Sequence, residues 1–233
     1  MAEYCPPEQL FDLGEEYESM LQKGIGLSGE NASFFIAGRV DDLKRQLPSG
    51  WRPARILDFG SGIGLASQYL AEAFPGSQVV GVDLSESAIA YANASNKSGR
   101  IRFESLTRLP ELGLFDLCYV NGVFHHIHPK DRRQALASVH GALRSGGYFG
   151  LFENNPWNPG TRMVMSRIPF DRDAIPLPPP ETRRLLIEAG FALRGRMRFL
   201  FYFPRSLRAL RFTESALVNI PLGAQYYQLV QRV

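Results

Sequence analysis

The fold is decided by the stretch Ile56-Leu57-Asp58-Phe59-Gly60-Ser61-Gly62-Ile63-Gly64. Its first four residues are typical of a buried strand, and three alternating glycines follow at once. Glycine is needed where the backbone turns tightly and where a ligand must approach it without meeting a Cβ atom. Because the turn leads into a predicted helix (64–74), the N–H groups at the helix start face that same ligand.

Short apolar runs alternate with longer amphipathic segments around this turn. The runs that we predict to be strands are 56–59, 78–82, 101–104, 114–120, 148–152 and 225–230. The segments that we predict to be helices are 64–74, 86–94, 130–143, 181–189 and two within 8–47, the second over 32–47. Alternation at this spacing indicates an α/β fold, a parallel sheet with helices on both faces.

An acidic residue, Asp83, ends the second predicted strand, 23 residues after Gly60. At that place in an open α/β sheet a carboxylate can bind both hydroxyls of a ribose. The nicotinamide or flavin dinucleotide fingerprint has Gly or Ala five residues after its first glycine, where this chain has Leu65. The residues therefore predict a nucleoside-type ligand at the carboxyl edge of the sheet.

Composition excludes several classes of protein. Hydrophobic residues make up 45% of the 233 residues and charged residues 21%, which is ordinary for a globular chain and excludes disorder and coiled coil. No apolar run is long enough for a transmembrane helix, and the acidic N-terminus lacks the features of a signal peptide. Two cysteines, Cys5 and Cys118, cannot form a disulfide framework. We expect a cytoplasmic protein whose Cys118 is buried and inert.

Positive charge is concentrated in the C-terminal third, where residues 151–233 hold twelve Arg against six Asp and Glu. The stretch 199–219 places arginines three residues apart beside apolar side chains. One interpretation is a basic amphipathic surface for a lipid-like substrate or a membrane edge. The favoured interpretation is a lid helix that packs its apolar face on the sheet.

Five motifs follow one another along residues 54–153. They are Asp58-Phe59-Gly60-Ser61-Gly62-Ile63-Gly64, Val82-Asp83-Leu84-Ser85, Phe115-Asp116-Leu117, Val123-Phe124-His125-His126-Ile127 and Leu143-Arg144-Ser145-Gly146-Gly147. In this order the chain resembles class I S-adenosylmethionine-dependent methyltransferases, most closely their small-molecule branch. The resemblance implies a Rossmann-like α/β fold with a seven-stranded, mostly parallel sheet whose last strand is antiparallel. We expect a helical cap (1–50) and a methyltransferase domain (51–233) with an insertion or lid at about 154–222.

The resemblance also implies the cofactor, S-adenosylmethionine, and the residues that bind it. These are Arg39, Asp58, Gly60, Ser61, Gly62, Asp83, Leu84, Ser105, Leu106 and Asn121. Asp83 would bind the ribose and Asp58 would face the methionine ammonium. Ser105 stands where many relatives have an acid, so the backbone N–H of Leu106 is an alternative adenine contact. Arg39 is either the partner of the methionine carboxylate or a surface residue.

The acceptor side is predicted from two strand ends. His126 follows the fourth strand and Glu153 ends the fifth, and neighbouring strand ends converge on the ligand crevice. We expect His126 to be a general base or a substrate anchor, with a purely structural histidine as the alternative. The predicted substrate-binding residues are Glu153, Asn154, Trp157, Asn158 and Arg162. His125, His126 and His128 have no acidic or Cys ligand at metal-binding spacing, so no metal is predicted.

These features favour methyl transfer to an O, N or C atom of a small metabolite, sugar-linked and lipid-linked acceptors included. One alternative is a non-catalytic nucleoside-binding regulatory module, and another is an RNA methyltransferase that uses the Arg-rich third. The segment Asn154-Asn155-Pro156-Trp157 is similar to a DNA amino-methyltransferase signature, but it follows the fifth strand rather than the fourth. DNA is therefore disfavoured as a partner. No integral membrane segment is expected, and peripheral lipid contact is not favoured.

Overall fold

The computed structural model of the chain describes residues 22–171 and 173–233, without the side chain of Phe170. The first of the two helices predicted in 8–47 lies largely outside these residues, and so does Cys5. The helices are α1 (Ala32–Gln46), α2 (Leu65–Ala73), α3 (Glu86–Ser95), α4 (Arg132–Ala142), α5 (Pro159–Met165), α6 (Pro179–Glu188) and α7 (Glu214–Leu217). The strands are β1 (Arg55–Phe59), β2 (Gln78–Asp83), β3 (Ile101–Ser105), β4 (Phe115–Asn121), β5 (Leu143–Asn154), β6 (Phe191–Leu193), β7 (Arg198–Leu200) and β8 (Gln225–Arg232).

One sheet contains all of these strands, in the order β3-β2-β1-β4-β5-β8-β6, with β7 also paired to β8. The first five strands in that order are parallel, and β8 runs antiparallel to β5. Because β6 pairs with residues 230–232 and β7 with residues 225–227, the two short strands share one position at the sheet edge. The sheet therefore has seven strand positions and an antiparallel last strand, as predicted.

The side chains of β1 alternate between two apolar layers. Leu57 and Phe59 pack with helices α4 and α6, whereas Ile56 packs on the other face with α1 and α2. Cys118 on β4 is fully buried in the first layer, as predicted, and burial raises the pKa of its thiol. Among the described residues, no helix is both long and apolar enough to cross a membrane.

Two predicted boundaries are wrong in the region of β5. Helix α4 begins at Arg132 and ends at Ala142, whereas we predicted 130–143. Strand β5 begins at Leu143 rather than at Tyr148, because Leu143 already pairs with Phe115 before a register shift. Pairing with β4, which local sequence does not specify, sets the start of the strand.

The prediction of a lid helix after residue 204 is also wrong. Residues Arg205–Thr213 form a 3-10 segment that contains no buried residue and is kinked at Leu207. It is anchored instead by Arg211, whose guanidinium lies 4.3 Å from the Phe34 ring centroid and 2.9 Å from Glu30 Oε1. The apolar side chains of this segment therefore face outward; Phe212 is 80% exposed.

A buried ion pair joins α1 to the C-terminal strands. Both carboxylate oxygens of Asp42 accept hydrogen bonds from Arg198, at 2.8 and 2.9 Å, and Oδ2 also accepts one from the Tyr227 hydroxyl at 2.7 Å. Burial alone would raise the pKa of Asp42, but the bonds from Arg198 and Tyr227 outweigh burial and hold it below its usual value. Asp42 thus fixes the helix that forms one wall of the cleft described below.

We predict that Asp42→Ala lowers the free energy of unfolding by about 3–5 kcal/mol, because it leaves the Arg198 guanidinium without its buried partner. Urea unfolding at pH 7 measures this, with the exposed neighbour Asp41→Ala as the control. Because the folded-state pKa of Asp42 is depressed, its stabilisation is present above the unfolded-state value of 3.8 and is lost as the pH falls through the folded pKa. Equal unfolding free energies for the two variants at pH 7 would contradict the prediction.

Candidate active site

A cleft of about 2140 Å³ opens at the carboxyl ends of β1, β2 and β4. It lies where the strand order reverses between β1 and β4, so the turns after these strands diverge and leave a crevice. Helices α1 and α5 and residues 201–204 form the opposite wall. The topology thus places the predicted nucleoside edge and the predicted acceptor residues around one cavity.

The glycine turn is held in a left-handed conformation beside β2. Gly60 and Gly62 have φ values of +72° and +51°, which favour glycine. The N–H groups of Gly60 and Ser61 donate to the carbonyl of Val82 at 2.8 and 3.0 Å. Asp83 also holds the turn, since its Oδ2 accepts a hydrogen bond from the Gly62 N–H at 2.7 Å. These bonds hold the turn in one conformation, and the turn residues line the cleft.

Two polar atoms at this end of the cleft are buried and unsatisfied. Within the described part of the chain, Ser61 Oγ and Asn121 Oδ1 have no hydrogen-bond partner, and both residues line the cleft. Such an atom costs roughly 1–3 kcal/mol when it stays unpaired. A Cβ built on Gly62 would meet no atom within 4 Å, so there is room beside the turn. The residues therefore fit a polar, nucleoside-sized ligand at this position.

Asp58 lies beneath the turn and is almost fully buried. Burial raises the pKa of Asp58 to about 7, although the Ser67 hydroxyl donates to Oδ2 at 2.7 Å and opposes the rise. The nearby charge of Asp83 raises the pKa further, and Arg39 lowers it. A cationic group bound beside Asp58 would favour its ionised form.

Arg39 faces the cleft from α1, so its interpretation as a surface residue is wrong. It is 5% exposed; its Nε donates to the Tyr119 hydroxyl at 2.9 Å and its Nη1 donates to Gln225 Oε1 at 2.8 Å. These bonds tie α1 to β4 and β8 and hold a cation at the end of the cleft nearest Asp58. Neither Tyr119 nor Gln225 was singled out from the sequence.

Of the three residues predicted to contact adenine, two line the cleft and one does not. Leu84 lines the cleft and is 74% exposed, and Leu106 lines it as well. Ser105 is not among the described residues that line the cleft, and its contact with adenine stays a prediction. Its hydroxyl caps the 3-10 turn Leu106–Glu111 by accepting the Thr107 N–H. The first turn of that segment is thereby fixed with Leu106 toward the cleft.

His126 lies at the other end of the cleft, with its side chain 23% exposed. Its Nε2 atom is 3.3 Å from Asp171 Oδ1. Burial lowers the pKa of His126, and the hydrogen bond that the Asp171 carboxylate accepts from its ring opposes that shift. The structure therefore places His126 where it can contact an acceptor, and its role as base or anchor stays a prediction.

Glu153 is not at the cleft mouth, so that prediction is wrong. Its side chain is 1% exposed because the turn after β4 folds back over it. Its Oε1 accepts the Phe124 N–H at 2.8 Å, and its Oε2 lies 2.6 Å from His125 Nδ1. The other ring nitrogen of His125, Nε2, is 3.4 Å from Asp171 Oδ1.

His125 is therefore held between two carboxylates. Burial alone would lower the pKa of this imidazole, but the charges and hydrogen bonds of Glu153 and Asp171 raise it to about 10. Sequence reasoning missed His125 and Asp171 as functional residues. The only local indication was that Asp171 stands in a Pro-rich segment of the kind that often forms binding loops.

The remaining predicted substrate residues divide into two pairs. Asn154 lines the cleft and accepts a hydrogen bond from Gln225 Nε2 at 3.1 Å; Asn158 lines it too and caps α5. Trp157 and Arg162 are not among the described residues that line the cleft, so their contact with an acceptor stays a prediction. The phase of α5 buries Thr161 and turns its next residue, Arg162, to solvent.

An aromatic wall, missed from the sequence, faces these polar residues. Phe34 and Phe35 of α1 pack against Phe201, with ring centroids 5.0–5.7 Å apart. Phe201 has φ +62°, which is rare for a residue with a side chain, and its ring lies against Gly38. A Cβ at Gly38 would lie 2.7 Å from that ring, so the wall depends on this glycine.

Comparison with known proteins finds similarity over the central part of the chain. Residues 56–147 match the sequence model of a family described as methyltransferase domain. A trans-aconitate 2-methyltransferase from Deinococcus radiodurans is 35% identical over 111 residues, which cover 47% of this chain and 41% of that protein. A second one, from Variovorax paradoxus, is 31% identical over 99 residues, covering 42% and 38%. The match thus spans less than half the length of these curated relatives.

Solved structures agree in fold. A SAM-dependent methyltransferase from Archaeoglobus fulgidus matches with a TM-score of 0.65 at 17% identity, over 87% of this chain and 95% of that one. At this identity the likeness concerns the fold alone. It confirms the predicted class I methyltransferase fold, an α/β sheet flanked by helices.

We predict that Asp58→Asn stabilises the ligand-free protein more at pH 8 than at pH 4. The folded protein keeps the Asp58 proton up to a pH of about 7, whereas the unfolded chain loses it near 3.8, so ionisation costs stability across that interval. Above it the asparagine variant should gain about 4 kcal/mol relative to its difference from the parent at pH 4, because each pKa unit corresponds to about 1.4 kcal/mol. Denaturant unfolding at the two pH values measures this. A parent–variant difference that does not change with pH would contradict the raised pKa.

Proposed function

We propose that this chain, which contains a class I methyltransferase domain, transfers a methyl group from S-adenosylmethionine to an O, N or C atom of a small molecule. The observation that carries the proposal is the pair of unsatisfied buried oxygens, Ser61 Oγ and Asn121 Oδ1, beside a glycine turn that Asp83 braces. A fixed, polar and open strand-end site of this kind suits a nucleoside with a polar tail.

The cofactor would lie along the strand ends from β2 to β4. Each oxygen of Asp83 accepts one backbone N–H, from Gly62 and from Ser85. A carboxylate oxygen has a second lone pair, so Asp83 can still accept the two ribose hydroxyls. Leu84 and Leu106 supply apolar contact for the adenine from the cleft rim.

The amino-acid end of the cofactor would lie over the glycine turn. Asp58 faces its ammonium and Arg39 its carboxylate, and both side chains are buried where water screens their charge little. Two opposite charges at one end of the cleft match the zwitterionic methionine part. The cofactor supplies, when bound, an electrophilic methyl group on a positively charged sulfur.

The protein's contribution to the reaction is mainly alignment. The acceptor must be held with its nucleophilic atom about 3–3.5 Å from the methyl carbon. His126, Asn154 and Asn158 offer polar contacts on that side, and the aromatic wall of Phe34, Phe35 and Phe201 excludes water. In this proposal the described residues of the cap (22–50) and of the insertion (154–171 and 173–222) shape the acceptor half of the cleft.

The RNA alternative is not favoured, because three of the twelve arginines of the C-terminal third are already paired with acids. Arg198 pairs with Asp42, Arg211 with Glu30 and Arg184 with Glu188. A surface for a phosphate backbone would instead present its arginines unpaired and clustered. The non-catalytic alternative predicts cofactor binding without transfer, and incubation with tritiated S-adenosylmethionine and a panel of hydroxylated and carboxylated acceptors separates it from catalysis.

We predict that Asp83→Ala weakens binding of S-adenosylhomocysteine at least about tenfold, because hydrogen bonds to a charged group contribute about 1.5–3 kcal/mol each. Calorimetry measures the affinity, with the exposed Glu72→Ala as a control of matched charge change. Unchanged affinity would contradict the ribose assignment. Preference for NADH over S-adenosylhomocysteine in the parent would contradict the proposed function.

We predict that His126→Ala lowers turnover by roughly 10²–10⁴-fold and leaves S-adenosylhomocysteine affinity unchanged. The side chain lies at the acceptor end of the cleft, away from the glycine turn. The control is His128→Ala, an exposed histidine two residues away. If His126→Ala lowers the melting temperature but spares the rate per folded molecule, the histidine is structural and the prediction fails.

A further inference from the structure

We propose that His125, His126 and Asp171 bind one divalent transition-metal ion at the acceptor end of the cleft. Each side chain offers one ligand atom, and the three atoms lie within 4.8 Å of one another. The sequence predicts no metal because no acid stands near the histidines. In the fold Asp171 reaches His125 from 46 residues away.

The two distances to Asp171 Oδ1 are long for charge-assisted hydrogen bonds and are also those that a shared metal ion would give. His125 Nε2 and His126 Nε2 lie 3.4 and 3.3 Å from Asp171 Oδ1. Charge-assisted hydrogen bonds between such groups are normally about 2.7–2.9 Å long. Two ligands that each lie about 2.0–2.2 Å from one zinc ion are separated by roughly 3–3.5 Å. Asp171 Oδ1 is therefore spaced from each of the two imidazole nitrogens as neighbouring ligands are around a metal, and all three atoms lie within 4.8 Å of one another.

Glu153 supplies the outer contact that metal-binding histidines usually have. Its Oε2 lies 2.6 Å from His125 Nδ1, and its Oε1 is held by the Phe124 N–H. A carboxylate on one ring nitrogen orients the imidazole and leaves the other nitrogen for a metal. Glu153, predicted to contact substrate, is thus a positioning residue for His125.

The backbone fixes the two segments that provide the ligands. The Ile175 N–H donates to the His125 carbonyl at 2.8 Å, which ties the segment after Asp171 to the turn after β4. Arg132 is buried behind this contact, and its guanidinium donates to the carbonyls of Phe124 and Ile175. The ligand set is therefore preorganised, which favours metal binding.

The ligand types and the charge indicate which ion would bind. Two imidazoles and one carboxylate suit zinc, iron or cobalt, whereas magnesium and calcium prefer oxygen ligands. The Asp171 and Glu153 carboxylates bring two negative charges to the two ring nitrogens of His125, and a divalent cation would take the place of the proton on Nε2. Three protein ligands leave an open position on the cleft side, where His126 is accessible.

The open position on the ion indicates which class of acceptor would bind there. If the proposed methyl transfer holds, the ion would bind an oxygen of the acceptor, such as a phenolate or a carboxylate, next to the reacting atom. That part rests on the proposed function, whereas the metal site itself does not. Metal binding and S-adenosylhomocysteine binding are therefore measured separately.

The test is calorimetric titration of untagged, chelator-stripped full-length protein with zinc chloride, supported by the visible absorption of the cobalt(II) form. We expect one ion per chain in the parent and in the exposed-residue controls His128→Ala and Asp173→Asn. Asp171→Asn and His126→Ala should each weaken zinc binding at least about tenfold, and Glu153→Gln by about 10–100-fold.

His126→Ala keeps the test usable if a buried variant fails to fold, because His126 is partly exposed. Absence of stoichiometric zinc binding in the folded parent would overturn the proposal. So would zinc affinity that is unchanged in folded Asp171→Asn and His126→Ala. If zinc fails to bind while S-adenosylhomocysteine binds, only the metal site is wrong; the reverse result contradicts the proposed function alone.

Discussion

The hydrogen bond from the Gly62 N–H to the Asp83 carboxylate is the contact on which the cleft depends. It joins the turn after β1 to the end of β2, and a second bond from the Ser85 N–H fixes the same carboxylate. A hydrogen bond to a charged group is worth about 1.5–3 kcal/mol, enough to hold a glycine turn in one conformation. The fixed turn carries Ser61, whose Oγ is, with Asn121 Oδ1, one of the two buried side-chain oxygens that lack a partner among the described residues.

The two halves of the cleft differ in how they are built. The nucleoside half uses the turns after β1, β2 and β4, all within the range 56–147 that the family model matches. The acceptor half adds Glu153, Asp171 and the aromatic residues around Phe201, which lie beyond that range. This half of the cleft thus combines His125 and His126, which lie inside the matched segment, with residues outside it, and the two relatives described above match this chain over 99 and 111 residues.

The same division explains what the sequence could predict. The strand order and the glycine turn follow from local patterns, since apolar runs and alternating glycines carry their own structural consequences. Burial of Arg39 depends on Gln225, 186 residues away, and a helical pattern does not reveal it. Likewise, the contact between Glu153 and His125 is made across the turn after β4. The hydrogen bond from Arg211 to Glu30 is not indicated by the apolar pattern of the segment that contains Arg211. These contacts are long-range pairings of polar groups, which have no periodicity.

The account is tested most directly by a crystal structure of the protein with S-adenosylhomocysteine. It predicts the ligand over the Gly60–Gly62 turn, with both Ser61 Oγ and Asn121 Oδ1 within hydrogen-bond distance, about 3.2 Å or less, of ligand or ligand-bound water atoms. It also predicts the ribose hydroxyls on the Asp83 carboxylate. A ligand bound elsewhere, or a bound complex in which both oxygens still lack a partner, would contradict the account.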